Sequence, residues 1–265
     1  MKQTIISRFL AIALMMTTGN LAANAGWTDN LSPYDLNAPL GWATVDGNVT
    51  GGEGGTKVTV TNKTELMNAL KGTDKKIIYV DGEIEFSGLT NVKSVQNKTI
   101  IGMKGAAFVN SKHSASVSET GIMQLSSCKN IILRNIIFKS AGAYDIDGND
   151  NLTIIGSTYI WVDHCDFQDG VDGNFDCVNG SDNICVTWCR FRYLIAPWAG
   201  GSGGSNDHRN CDLWGNSDKR SGDEGHLRTT FANCWWDEGC SERMPRVRFG
   251  KVHIQNCLYS SSNAH

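Results

Sequence analysis

A short strand-like segment recurs in the second half of the chain, and this repeat constrains the fold more than any other feature. The segments are IILRNIIF (131–138), IWVDHCDF (160–167), ICVTWCRF (184–191), TTFANCWW (229–236) and VHIQNCLY (252–259). Their starts lie 29, 24, 45 and 23 residues apart, so the basic period is 23 or 24 residues with insertions. The longest gap holds a glycine-rich, polar stretch from Gly200 to Gly225. Periods of this length are typical of solenoids.

One position of the repeat is cysteine in four segments, Cys165, Cys189, Cys234 and Cys257, and Ile136 in the first. We call this set the cysteine column. If each repeat is one coil of a parallel β-helix, these side chains stack at the strand spacing of about 4.8 Å. Cysteine suits such a position as a small buried apolar side chain, so we expect mostly free thiols. The repeat therefore predicts an all-β protein, a parallel β-helix.

Zinc binding is an alternative use of the cysteines. Cys185 and Cys189 are four residues apart, but no paired Cys-x-x-Cys or histidine set with ligand spacing accompanies them. The total of nine cysteines is odd, and none occurs in the first 127 residues, which also argues against a disulfide framework. Packing in the interior of the solenoid explains the cysteines better than metal binding does.

The residues before the repeat predict a cap on the first coil. Thr64–Leu70 has the pattern of a short helix that covers the exposed end of the solenoid, and Lys76–Val80 has the pattern of a strand. The glycine-rich run Thr50–Gly55 could be mistaken for a phosphate loop, but it precedes the strand Lys57–Thr61 instead of following one. We expect residues 26–265 to form a single β-helix domain.

Residues 1–25 have the pattern of an export signal. Lys2 and Arg8 precede an apolar stretch, and the segment ends in Ala-Asn-Ala, a small-residue cleavage site; the alternative is a buried N-terminal helix. Cleavage after Ala25 would lower the formal net charge from -3 to -5. This acidity argues against a nucleic-acid partner, and no run in the mature chain is long enough for membrane insertion. We expect a secreted monomer, in the periplasm, at the cell surface or outside the cell.

Three aspartates fall at related points of neighbouring coils. Asp150 lies 15 residues before Cys165 and Asp176 lies 13 before Cys189, so the two carboxylates should occupy nearly equivalent places. Asp172 can fold back toward them across a glycine turn. Converging carboxylates raise one another's pKa or recruit a cation, and hard oxygen ligands on loops suit Ca²⁺. The spacing therefore points to a calcium site.

Two other interpretations of these aspartates were weighed. Aspartate commonly caps turns, and spacing alone does not decide between turn capping and metal binding. An EF-hand is excluded, because the stretch that begins at Asp145 has Asp150 where the loop needs glycine and Gly156 where it needs glutamate.

A cationic run, RMPRVRFGK at 243–251, is the second constellation, with four cations in nine residues of a net acidic protein. Alternation places Arg246 and Arg248 on the outer face. An ordinary solvated strand face is one interpretation. If the run shares a flank with the aspartates, arginine forks beside bound calcium would instead hold a polyanion whose carboxylates the metal bridges.

Taken together, these segments resemble the pectate lyases of polysaccharide lyase family one. The resemblance rests on IWVDHCDF, on the downstream Asp-Gly-x-x-Asp of residues 172–176, and on ERMPRVRFGKVHIQNCLY at 242–259. The start TGGEGGTKVTV at 50–60 is also similar. The resemblance implies a right-handed parallel β-helix that cleaves polygalacturonate, the pectin backbone, by β-elimination with calcium.

The resemblance also implies roles for individual residues. Asp150, Asp172 and Asp176 match the calcium ligands, Arg243 matches the arginine taken to abstract the C5 proton, and Arg248, with Arg246 beside it, matches the substrate-binding cations. Asp163 and His164 match the family signature and are expected to support structure.

Two departures from the family pattern keep other functions open. Ile195 stands where a lysine usually binds the substrate carboxylate, and the chain ends at His265, soon after the last repeat, which leaves open a domain truncated at its C-terminal end. A catalytically impaired pectin-binding β-helix is the first alternative. The second is a β-helical glycoside hydrolase, which would use two carboxylates and a water and need no calcium.

Overall fold

The computed structural model describes residues 38–210, 212–215 and 222–264; the predicted export signal lies outside them. The helical elements are α1 (Lys63–Leu70) and two 3₁₀ turns, Gly41–Thr44 and Val117–Glu119. The strands are β1 (Thr56–Val60), β2 (Lys76–Val80), β3 (Glu83–Glu85), β4 (Thr90–Lys93), β5 (Gln96–Gly102), β6 (Ala107–Val109), β7 (Met123–Ser126), β8 (Lys129–Arg134), β9 (Ile137–Lys139), β10 (Tyr144–Asp145), β11 (Leu152–Ile155), β12 (Thr158–Asp163), β13 (Asp166–Gln168), β14 (Phe175–Val178), β15 (Asp182–Thr187), β16 (Arg190–Arg192), β17 (Trp198–Gly201), β18 (Leu213–Trp214), β19 (Thr229–Ala232), β20 (Trp235–Trp236), β21 (Arg246–Val247), β22 (Val252–Gln255) and β23 (Leu258–Tyr259).

Three long parallel sheets wind around one core. The first has the order β1-β2-β5-β8-β12-β15-β19-β22, the second β23-β20-β16-β13-β9-β6-β3, and the third β21-β18-β14-β11-β7-β4. Successive strands of the chain pass from the third sheet to the first and then to the second, and each pairs with its equivalent one coil away. A small parallel ribbon, β10 with β17, lies outside them. The predicted parallel β-helix is confirmed.

The repeat seen in the sequence is the repeat of the coils. Arg134, Asp163, Thr187, Ala232 and Gln255 are in register across β8, β12, β15, β19 and β22, with the same separations of 29, 24, 45 and 23 residues. The cysteine column follows two residues later in each coil and is therefore aligned. This register confirms the sequence alignment.

Each of these coils bends between the first and second sheets at a residue with positive φ. The residues are Asn135 (φ 56°), His164 (51°), Trp188 (53°), Asn233 (58°) and Asn256 (50°). Asparagine enters the left-handed region more readily than other non-glycine residues, so the recurrent Asn provides the turn. The next residue belongs to the cysteine column and points inward.

Stacked side chains fill the interior. Aromatic rings lie two residues beyond the cysteine column, and neighbouring rings have centroids 4.8 Å apart between Phe138 and Phe167 and 5.2 Å apart between Phe167 and Phe191. The column thiols donate weak hydrogen bonds to carbonyls, as Cys189 Sγ does to the Thr187 oxygen at 3.4 Å. The eight described cysteines are free thiols. Burial raises the pKa of Cys185 to about 12, which keeps that thiol neutral.

The predicted capping helix is present as α1, which begins one residue before the predicted start. The Asn62 side chain accepts a hydrogen bond from the Glu65 amide at 3.0 Å, and Leu66 and Leu70 are buried against the first coil. The helix packs on β1 and β2, so it covers the end of the core. In the part of the chain that the structure describes, no helix combines the length and apolar character needed to span a membrane.

Candidate active site

A solvent-open cavity of about 640 Å³ lies on the outer face of the third sheet. Alternate residues of β11 and β14 form its floor, because alternate side chains of a strand share a face. Loops that join the second sheet to the third form its walls. The lining residues are Asp145, Ile146, Asp147, Gly148, Asp150, Thr153, Ile155, Asp172, Asp176, Val178, Asn179, Ser202, Gly203, His208, Arg243 and Arg248. The aspartate cluster and the cationic run therefore share one flank.

The three predicted calcium ligands all line this cavity, but their register differs from the sequence count. Asp176 is paired with Thr153, three residues beyond Asp150. The count from the cysteine column missed this offset because the turn to the first sheet has two residues in one coil, 156–157, and three in the next, 179–181. Asp172 is the aspartate whose charge acts most directly on Asp150.

Asp150 carries the least compensated charge of the cavity's aspartates for which a shift is resolved. Its residue surface is only 8% exposed, and Thr153 Oγ1 donates a hydrogen bond to Oδ2 at 2.8 Å. Burial and the charge of Asp172 raise the pKa of Asp150 to about 7, whereas the Thr153 hydrogen bond and the charge of Arg243 act in the opposite direction. A cation placed between these carboxylates would relieve both unfavourable effects.

The cationic run is divided by the structure. Arg243 and Arg248 line the cavity, whereas Arg246 is exposed and does not. Arg243 has a left-handed backbone (φ 57°), and its buried Nε finds no hydrogen-bond partner among the described residues. The Arg248 amide donates to the Trp214 carbonyl at 2.8 Å, which fixes the residue beside the third sheet. The predicted outward orientation thus brings Arg248, but not Arg246, to the site.

Ile195, the residue at the expected lysine position, lies away from the cavity. Its side chain is 39% exposed, it does not line the cavity, and its amide donates to Asp169 Oδ1 at 2.9 Å. Among the described lining residues there is no lysine. Counting back from Gly200 therefore identifies a residue outside the site, because the stretch that follows turns away to form the β10–β17 ribbon.

Sequence reasoning missed two residues of the cavity wall. His208 comes from the long insertion, and its ring nitrogens face Asp145 Oδ1 at 3.1 Å and Asp172 Oδ1 at 2.9 Å. Asp145 was considered only as the start of an EF-hand loop. No signal in the repeat could locate His208, because the insertion has no equivalent in the other coils.

The donor set suits a hard cation but does not enclose one. In the described ranges, no three side chains of histidine, cysteine, aspartate or glutamate are arranged to hold a metal ion. Calcium takes six to eight oxygen ligands and accepts water and ligand carboxylates among them. Buried Asp150 beside Asp172 fits this open kind of site, in which an anionic ligand completes the coordination.

Comparisons with known proteins agree with the fold and the motifs. The pectate lyase family model matches residues 30–265. A probable pectate lyase B from Aspergillus terreus is 33% identical over 227 residues, which covers 82% of this chain and 60% of that protein. A pectate trisaccharide-lyase from Thermotoga maritima is 32% identical over 238 residues, which covers 84% of this chain and 57% of that protein.

Solved structures give the same fold. A pectate lyase bound to a hexasaccharide superimposes with a TM-score of 0.67 at 23% identity, covering 85% of this chain and 74% of that one. A pectate lyase from Bacillus sp. N165 in complex with trigalacturonate gives a TM-score of 0.61 at 20% identity, covering 83% and 68%. The chain spans 60% and 57% of the two curated relatives above. Over the residues that match, the chain belongs to the pectate lyase family.

Proposed function

We propose that this protein is a calcium-dependent pectate lyase that cleaves de-esterified polygalacturonate by β-elimination, releasing unsaturated oligogalacturonides. One observation carries the proposal: Asp150, Asp172, Asp176, Arg243 and Arg248, from separate parts of the chain, line a single open cavity. Carboxylates alone would repel a polyuronate, and arginines alone would bind it without activating it. The combination can bind a polyanion through a cation and through guanidinium groups at once.

The three aspartates are the residues that would hold calcium. Buried Asp150 has a pKa raised to about 7, mainly by burial and the charge of Asp172, so its ionised form gains most from a neighbouring cation. Bound calcium would neutralise the uronate carboxylate and make the adjacent C5 proton more acidic. The relatives named above support a substrate of this class, because one solved neighbour contains trigalacturonate.

We assign the two arginines of the cavity separate roles. Arg243 is placed to take the C5 proton; the C5–H electron pair then forms the C4–C5 double bond, and the C4–O bond breaks. Its left-handed backbone and its buried, unpaired Nε are held by the surrounding structure, as is common at functional sites. Arg248 is placed to hold a uronate carboxylate with its planar guanidinium fork. Exposed Arg246 would then contact a more distant part of the polymer.

An assay of the unsaturated product tests this function. The mature protein should convert polygalacturonate to a product that absorbs in the ultraviolet with calcium present, and excess chelator should abolish the signal. Arg243→Ala should lower turnover about 10³-fold, since it removes the proposed base. Ile195→Lys serves as a control outside the cavity and should leave turnover unchanged.

The same assay separates the alternatives. Cleavage that persists in chelator, with saturated products, would favour a glycoside hydrolase. Binding of the polymer by a folded protein that releases no product would favour a pectin-binding β-helix without catalysis. Either result would reject the lyase proposal.

Export and a monomeric state complete the proposal. Expression in a host with a secretion system should release a mature protein whose first residue is Gly26, as N-terminal sequencing would show. Its mass in solution, measured by light scattering, should equal that of one chain.

A further inference from the structure

The segment after the second sheet folds back over the cavity and is attached there through Asp145. Residues Trp198–Gly201 pair with Tyr144–Asp145 in the β10–β17 ribbon. Beyond the ribbon, the Gly203 amide donates to the Asp145 carbonyl at 3.3 Å, and the Ser205 amide donates to Asp145 Oδ2 at 2.6 Å. One aspartate therefore binds the segment through both its backbone and its side chain.

His208 continues this attachment to a proposed calcium ligand. Its Nδ1 lies 3.1 Å from Asp145 Oδ1, and its Nε2 lies 2.9 Å from Asp172 Oδ1. The side chains of His208, Asp145 and Asp172 are 14%, 12% and 22% exposed. Asn210 Nδ2 also lies 3.2 Å from the ring. The imidazole is thus a largely enclosed bridge between two carboxylates.

We propose that His208 is a positioning residue for Asp172, and that Asp145 in turn orients the histidine ring. A donor on one oxygen of a ligating carboxylate fixes its rotamer and directs the other oxygen toward the cation. Asp145 then acts at a distance from the metal by holding the ring at its opposite nitrogen. The inference rests on the proposed function, because it takes Asp172 as a calcium ligand.

Gly203 shows that the segment must approach Asp145 closely. A Cβ atom at this position would overlap both oxygens of the Asp145 carboxylate. Any side chain there must push the carboxylate away from the Ser205 amide and from His208. The glycine is therefore required by the bridge, and Gly203→Ala offers a way to disturb it without altering any of its polar groups.

Calcium affinity of the complete protein, measured calorimetrically without substrate, tests the proposal. His208→Ala should weaken calcium binding about 10–100-fold, the usual effect of losing a group that orients a metal ligand. Glutamine places an amide near the position of Nε2, whereas asparagine places one near Nδ1. His208→Gln should therefore retain affinity within about threefold, and His208→Asn should resemble His208→Ala.

A matched control is His226, which lies 4.0 Å from an Asp182 oxygen but is 52% exposed and outside the cavity. His226→Ala should leave calcium affinity unchanged, and Gly203→Ala should weaken it in the same direction as His208→Ala. Thermal unfolding in chelator shows whether each variant is folded before calcium is added.

The outcomes separate this inference from the proposed function. A protein that binds calcium but makes no product would refute the lyase activity and still decide the role of His208. Unchanged affinity in folded His208→Ala, rescue by asparagine instead of glutamine, or a wild-type protein that binds no calcium would each overturn the inference.

Discussion

Asp150 and Asp163 are buried aspartates of the same coil, and the protein treats their charges differently. Arg134 Nε donates to Asp163 Oδ2 at 2.5 Å, and Thr187 Oγ1 donates to Oδ1 at 2.5 Å. Asp150 accepts one hydrogen bond from Thr153 and has Asp172 as a like-charged neighbour. A carboxylate that supports the coil is neutralised by its own chain, whereas the one at the cavity is left to be neutralised by a ligand.

The largest expected effect is the loss of the Asp163 network. Asp163→Ala leaves the Arg134 guanidinium, which also lies 4.7 Å from the Trp161 ring centre, without its counter-ion in a buried place. The free energy of unfolding should fall by about 3–5 kcal/mol, as denaturant titration would measure. Exposed Asp81→Ala is the control and should change it by less than about 0.5 kcal/mol. A loss below about 1 kcal/mol for Asp163→Ala would remove the contrast between the two sites.

Asp150→Asn should have the reverse pattern. The change removes a buried charge that the protein does not balance, so the stability in calcium-free buffer at pH 8 should stay within about 1 kcal/mol of wild type or rise. Calcium affinity should fall about a hundredfold, because charge count sets the affinity of such sites. Calorimetry with calcium and unfolding in chelator measure the two quantities separately. Marked destabilisation of the calcium-free variant would mean that Asp150 is structural.

Two threonines give a matched pair for the same contrast. Thr187 donates to Asp163 and accepts from Trp161 Nε1 at 2.7 Å, whereas Thr153 donates to Asp150. Thr187→Val leaves two buried partners unsatisfied and should cost about 2 kcal/mol of unfolding free energy. Thr153→Val, in the open cavity, should cost about 0.5 kcal/mol or less. Equal losses in denaturant titrations would show that both hydroxyls serve the fold alike.

The same contrast explains what the sequence predicts well. In a solenoid each coil contacts its neighbours through equivalent positions, so a period in the sequence becomes a register in space. The alignment of Cys165 with Cys189 followed from that rule, and so did the sheet that contains Asp163. The prediction held wherever the chain length between equivalent positions was constant or lay outside the element compared.

The cavity breaks that rule. A turn longer by one residue displaced Asp176 from its expected place opposite Asp150. The bridge of His208 to Asp145 depends on an insertion whose path is set by backbone hydrogen bonds to the β10 strand, and these have no periodic signature. The family resemblance supplied residue identities for the aspartates and arginines, but it could not supply a contact made by a segment outside the repeat.

The smallest expected effect concerns the thiols, whose neutrality completes the contrast between the coil interior and the cavity. Burial raises the pKa of Cys185 to about 12 and that of Cys189 well above its usual value, so both thiols should remain protonated at pH 8.5. Because the thiolate is the reacting form, iodoacetamide should modify less than about 1% of either residue in the folded protein, as site-resolved mass spectrometry would show. The denatured chain, in which both react fully, is the control. Rapid alkylation of Cys185 in the folded protein would mean that the interior of the coils holds charge as readily as the cavity does.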